Sequence, residues 1–436
     1  MVFGPRVASA SRRFVAAVAV CVAGASGCGA EGAGVDGGPA ASGPASSSGA
    51  SSGPQGAGSG GAIPPAPTVA PDPPLSKEEL AKFVADKDRA PTRAIVETAL
   101  LALAECGFDQ FGIDYKCAAL KDYNEVARRK TEDVRLFGSV GLAHLRHPAA
   151  AVRFQASYEG SIAAFTFESD PASAAPYLEA LRVENDSLVL ANMLKNGVTG
   201  ARKSAALRTF LLGSIEHADA HVREVSARLL GDPDVLPHAD GAFEKLLEKV
   251  QRDPDGHVRA TACSVLGATQ DDRAMPVFKA VLDDPSAPDE VRNGCFEGLV
   301  QSWVGFPYPK RPRKDAYEAT LEILARTPRG PKTPWRGVSR LGWARAEVKP
   351  VDREGAAWAS NVRGFFDPKR LVDVLEDLAL DPDAPQMARS EAIYVLRRQN
   401  QQELLKAIAR GLEKQKGPDA KTLASRAKTL AQQEKD

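Results

Sequence analysis

The sequence predicts an all-α fold, a row of helical hairpins stacked in series. Three observations predict it. A phrase of Asp-Pro, then Val-Arg, then Ala and Leu returns along the chain, with Val222, Val258 and Val291 spaced by 36 and 33 residues. In the clearest copy the apolar residues Val258, Ala262 and Leu266 fall at i, i+4 and i+8, a single stripe of a helix. Outside those stripes no alternating run of β-branched residues of useful length occurs, so nothing reads as a strand. Composition agrees: aromatics are only 6% of the 436 residues while Ala and Leu abound, a balance suited to closely packed helices. The formal net charge is zero, which leaves no global attraction to nucleic acid or to an anionic surface.

Taken in chain order, residues 1–27 read as an export signal. Arg6, Arg12 and Arg13 precede an apolar run from Phe14 to Ala25, the basic and hydrophobic regions of a secretory signal. The run is too short to span a hydrocarbon layer of ~30 Å. It ends in Ala25-Ser26-Gly27-Cys28, which resembles the lipobox of bacterial lipoproteins. That resemblance implies lipidation of Cys28, membrane contact through that lipid and, with Gly29 rather than Asp following, an outer-membrane address. Ala25 departs from the pattern, where a larger aliphatic is usual, and an ordinary cut after Ala23-Gly24-Ala25 is the alternative. Residues 28–74 are almost entirely Gly, Ala, Ser and Pro. Such a segment cannot bury enough apolar area to offset its ordering entropy, so it is expected to be a disordered tether. As a coil of about 46 residues it would span roughly 35–40 Å.

Residues 75–436 hold the repeats. The clearest copy runs from Asp253-Pro254-Asp255 through Val258, Ala262 and Leu266 to Gly267. Asp is expected to cap the helix and Pro to sit in its first turn. Ala262 would let a neighbouring helix approach, and Gly267 would end the helix. Copies recur at Val152-Arg153, Val222-Arg223 and Val291-Arg292, and a worn one at Ala388-Arg389. Between them lies a second helix type, as in Asp272-Arg273-Ala274-Met275-Pro276. This phrase resembles the HEAT-repeat family, in particular its short bacterial HEAT-like units. The match is good over 145–300 and looser over 88–145 and 365–415. It implies a right-handed α-solenoid of helical hairpins, in which the Arg after Val bonds an Asp of a neighbouring unit. Arg223, Arg259 and Arg292 are then structural. The polar segment from Lys414 to Asp436 is expected to be a frayed last helix.

In an oxidising envelope, Cys106 and Cys117, closing a step of eleven residues, are expected to form a disulfide. Cys263 and Cys295 hold near-equivalent core places in successive repeats and read as buried free thiols in preference to a cross-repeat bridge. His217 and His221 are four apart, a metal-compatible spacing. His217 precedes the helix, however, and no third ligand is fixed nearby, so no metal and no cofactor is expected. His144 and His147 read as helix-end caps, and Asp271-Asp272 and Asp283-Asp284 as turn residues. No phosphate loop, nucleophile elbow or zinc-protease motif occurs, and no catalytic residue is expected.

From 303 to 366 the phrase is interrupted, and all four tryptophans, Trp303, Trp335, Trp343 and Trp358, fall there with thirteen Lys or Arg against six acids. Insertions in solenoids map to surface loops, and Trp and Arg anchor interfaces. Trp303, Arg311, Arg313, Trp335, Trp343 and Trp358 are therefore candidate partner contacts, the alternative being that they pack the loop onto the stack. The reading that results is a non-enzymatic, lipid-tethered envelope adaptor for a protein or peptide. The alternatives are a binder of an anionic envelope polymer, or an enzyme of lyase type on the same scaffold.

Overall fold

In the computed structural model the described residues are 75–433, apart from 131–132, 168–173, 233–234, 306–307, 327–329, 331–332 and 345–352. The export segment, Cys28 and the tether lie outside them.

Eight of the helices start where the sequence supplies a side-chain acceptor. Ser76, Thr92, Asp133, Asp186, Ser204, Asp219, Asp255 and Asp367 each accept from a backbone N–H in the first turn, satisfying groups a helix cannot pair internally. In the clearest repeat the cap is Asp255, two residues after the Asp expected to provide it. Asp253 is used otherwise, as described below. The helix also runs past Gly267 to Thr269 and stops at Gln270, whose φ is +54°.

Nineteen α-helices result among the described residues. Three open the stack: α1 (Lys77–Ala85), α2 (Arg93–Leu101) and α3 (Ala118–Ala127). Hairpins follow: α4 (Val134–His144) with α5 (Ala150–Ile162), α6 (Ala175–Val183) with α7 (Ser187–Gly197), and α8 (Ala205–Ser214) with α9 (Ala220–Leu230). Then come α10 (Ala242–Arg252) with α11 (Gly256–Thr269) and α12 (Ala274–Asp283) with α13 (Asp289–Gln301). After α14 (Lys314–Ala325), a 3-10 turn (Val338–Trp343) and α15 (Arg353–Val362), the series closes with α16 (Pro368–Leu380), α17 (Gln386–Arg398), α18 (Gln402–Glu413) and α19 (Pro418–Gln432). The second helices make a continuous row in which α5, α7, α9, α11, α13, the 3-10 turn, α17 and α19 each touch the next. The core follows that row, with Val152, Val222, Val258 and Val291 fully buried.

Three expectations change. A two-residue antiparallel hairpin, β1 (Phe108–Asp109) with β2 (Gly112–Ile113), is present although no strand was legible; strands this short leave no periodicity to read. The described residues of 303–366 form a worn repeat and not a surface loop: α14 is the first helix and the 3-10 turn holds the second helix's place between α13 and α17. The segment expected to fray is helical over Pro418–Gln432: α19 buries Ala420, Leu423, Ala424 and Ala427 against α18. Its other side shows Lys421, Ser425 and Lys428 to solvent.

The arginine ladder is partial. Arg223 binds Asp253 of the next hairpin through Nε and Nη2, at 2.9 and 3.0 Å, and donates through Nη1 to the carbonyls of His217 and Ala218. Arg153 repeats this with Glu184, at 2.7 and 2.9 Å. At Arg389 the acceptor is Gln415, at 2.6 Å. Arg259 and Arg292 instead bond carbonyls of their own hairpins, Val250 and Asp284. Removing one partner of a buried pair strands the other charge. Arg223→Ala is therefore expected to cost about 3 kcal/mol or more, and Arg292→Ala roughly 1 kcal/mol. Urea unfolding followed by circular dichroism measures both, and equal costs would contradict the ladder.

Candidate functional site

The tryptophans sort into core and margin. Trp303 lies just past the end of α13, its ring is fully buried, and its Nε1 donates to Thr320 Oγ1 at 3.1 Å. Trp358 on α15 is 1% exposed and donates to the Trp303 carbonyl at 2.6 Å. Tyr317 and Phe366 lie within 6 Å of the Trp303 ring centroid, and Tyr308 and Phe366 within 6 Å of the Trp358 centroid. These rings fill the volume that a full second helix would otherwise occupy. As partner contacts, Trp303 and Trp358 are thus corrected to core. Trp335 is half-buried, its backbone N–H held by Asn293 Oδ1 at 2.9 Å. Half-buried Trp343 carries the Arg398 guanidinium 4.5 Å above its ring.

Among the described residues of the segment, four arginines are paired. Arg313 donates to Asp315 and Asp272, and its hydrogen bonds to the Asp315 carboxylate raise its pKa. Arg336 and Arg340 share Glu297, and Arg326 binds Asp283. Arg311, with Lys310 and Lys314, stays exposed, its backbone N–H on Gln270 Oε1 at 3.3 Å.

The other flagged groups serve the turns. His217 and His147 each accept a backbone N–H through Nδ1, from Asp219 at 3.0 Å and Ala149 at 3.1 Å. His144 pairs with Glu97 at 2.7 Å. Asp271 holds Arg273, whose hydrogen bond is the first cause lowering the Asp271 pKa. A charged cleft of about 240 Å³ opens beside the ladder, lined by Glu216, Arg223, Lys249, Arg252 and Asp253 among others. Hydrogen bonds from Lys245 and Lys249 hold the Glu216 carboxyl below its usual range. A second buried network joins α3 to α5: Tyr123 Oη donates to Glu159 Oε1 at 2.8 Å, and Lys130 binds Oε2. Burial first, then the Glu159 charge, pushes the Tyr123 phenol well up, so it stays a neutral donor.

Both cysteine pairs are joined. Cys106–Cys117 is the bridge expected, and it closes a loop containing the β1–β2 hairpin. Cys263–Cys295, expected as free thiols, is a bridge between α11 and α13, with Cα atoms 4.8 Å apart. The reason for the difference is backbone proximity. A Cβ on Gly267 would lie 2.0 Å from the Gly298 carbonyl oxygen, and one on Gly294 2.2 Å from that of Ala260. Helices this close bring the two Cβ atoms within bonding reach.

The first loop also carries what sequence reasoning missed. Phe108 packs edge-on against Phe154 of α5, at 5.5 Å between centroids. Phe111, in the β1–β2 turn, and Tyr115, between β2 and Cys117, are 87% and 75% exposed, the largest values among the large apolar side chains described. The sequence signal was present, namely three aromatics inside one short cysteine-closed step.

Comparison with known proteins matches residues 199–300 to the family model for HEAT repeats. No curated protein matches the chain. Among solved structures, the complex of CpcE and CpcF of phycocyanin lyase from Nostoc sp. PCC7120 aligns at 15% identity, over 67% of this chain and 94% of that one, with a TM-score of 0.33. The Kap95:Nup1 complex aligns at 12% identity, over 81% of this chain and 53% of that one, with a TM-score of 0.43.

Because Cys263 and Cys295 are fully buried, neither is expected to react with a thiol reagent in the native, unreduced protein. Cys263→Ser with Cys295→Ser is expected to lower stability by about 3–4 kcal/mol. Thiol labelling with mass spectrometry and urea unfolding check the two statements.

Proposed function

We propose that this chain, with HEAT repeats at residues 199–300, is a non-enzymatic scaffold of the cell envelope, tethered by lipid at Cys28 and engaging a protein partner along its helices. The observation that supports it best is where the buried charge goes. Arg153–Glu184, Arg223–Asp253 and Lys130–Glu159 each hold one helical layer to the next. Buried charge in an active site is kept for a substrate; here its partners belong to the stack. What the row leaves outward is a succession of exposed side chains on adjacent second helices, such as Lys195 on α7, Arg228 on α9 and His257 on α11. Extended contact with a polypeptide suits such a surface, with shape and charge carrying recognition.

Two disulfides favour an oxidising compartment, in keeping with the export segment and with the Ser26-Gly27-Cys28 junction. A photo-crosslinking residue at Lys195 or Arg228 is expected to give discrete protein adducts in intact cells, and Cys28→Ser is expected to move the chain out of the membrane fraction. A chain that yields no protein adduct at either position would contradict the scaffold reading, and a Cys28→Ser chain that stays with the membrane would contradict the anchor.

A further inference from the structure

The first described residues lie beside the start of the bridged loop. The Leu75 backbone N–H donates to Thr98 Oγ1 on α2 at 2.9 Å, and Lys77, the first residue of α1, pairs with Glu105 at 2.8 Å. Glu105 immediately precedes Cys106, which begins the bridged loop. Leu75 and Lys77, the start of the described chain, and the base of the hairpin therefore lie close together. The loop is built to hold its tip outward. The disulfide closes its base, Phe108 seats on Phe154, and Asp109 and Asp114 turn their Oδ1 atoms onto the N–H groups of Phe111 and Lys116, at 2.8 and 2.9 Å. Lys116 extends its ammonium 5.5 Å from the Tyr115 ring centroid.

We propose that this hairpin is a bilayer-contact element, and that Phe111 and Tyr115 enter the headgroup region of the membrane that holds the lipid anchor. The proposal rests on the tethered reading above. Tyr is suited to that region because it presents an apolar ring and a polar tip, and a lysine beside it can reach back to water. Two aromatic side chains give only weak partition from free solution. A tether of roughly 35–40 Å reach holds the tip near the surface at about millimolar effective concentration, which makes a weak contact sufficient. Between the two cysteines the loop carries Asp109, Asp114 and Lys116, a net charge of 1 − 2 = −1. The favoured surface is accordingly zwitterionic, and anionic lipid is expected to weaken the contact.

The test uses the full chain carrying Phe111→Trp, held on phosphatidylcholine vesicles through an N-terminal hexahistidine and a nickel-chelating lipid. Attachment then does not depend on Cys28. The expected result is a blue shift of the added emission and its loss in vesicles with brominated acyl chains, with the emission of the otherwise unchanged chain little altered. Replacing part of the phosphatidylcholine by phosphatidylglycerol is expected to reduce the quenching. An added emission that matches the unattached chain and escapes quenching overturns the proposal, as does quenching that grows with phosphatidylglycerol. Mass spectrometry of Cys28 is read separately. An unmodified Cys28 refutes the anchor and leaves the hairpin result standing, while a lipidated Cys28 with an unquenched added emission refutes the hairpin alone.

Discussion

Where α11 lies on α13, the two second helices meet backbone to backbone, with Gly267 against Gly298 and Gly294 against Ala260. A helix of ten to fourteen residues is marginal alone in water. It persists here because its apolar stripe is covered on successive sides by the helix before and the helix after. Small residues set how near those neighbours come, and the nearness decides what else the contact can hold. At this joint it admits a disulfide, Cys263–Cys295. Elsewhere the same serial contact is held by an arginine reaching forward to the next hairpin.

The stack tolerates wear because each joint is local. At the worn repeat the second helix has shrunk to the 3-10 turn Val338–Trp343, and the space is taken by Trp303, Trp358, Tyr317 and Phe366. Gln399 of the following loop fixes that turn by donating to the carbonyls of Leu341 and Ala344, at 3.1 and 3.0 Å. The two indoles suit this work, since they fill volume and their N–H groups find partners nearby. The ladder wears in the same way: a carboxylate at Asp253 and Glu184 becomes an amide at Gln415.

The fold class was legible because 3.6-residue stripes survive in Val258, Ala262 and Leu266 whatever surrounds them. Residues two apart were harder. Asp253 and Asp255 are both Asp before a helix, and only the neighbouring hairpin tells the arginine acceptor from the cap. Tryptophans with arginines read alike as an interface and as filling for a worn joint, because composition does not carry burial. Cys263 and Cys295 lie one repeat apart in sequence, and their bonding depends on a helix separation set by Gly267, Gly294 and Gly298. Phe111 and Tyr115 stood in plain view, yet their exposure follows from how the bridged loop sits on α5, which no periodicity encodes.

If cohesion passes only between neighbouring hairpins, a local defect must stay local. Native-state hydrogen exchange on Gly298→Val measures this directly, since the added side chain pushes α13 from α11. Amide protection is expected to fall across α9, α11, α13 and the 3-10 turn while α5 and α19 keep that of the unaltered chain. A uniform loss from α1 to α19 would mean one indivisible core, and would contradict the account of a serial stack.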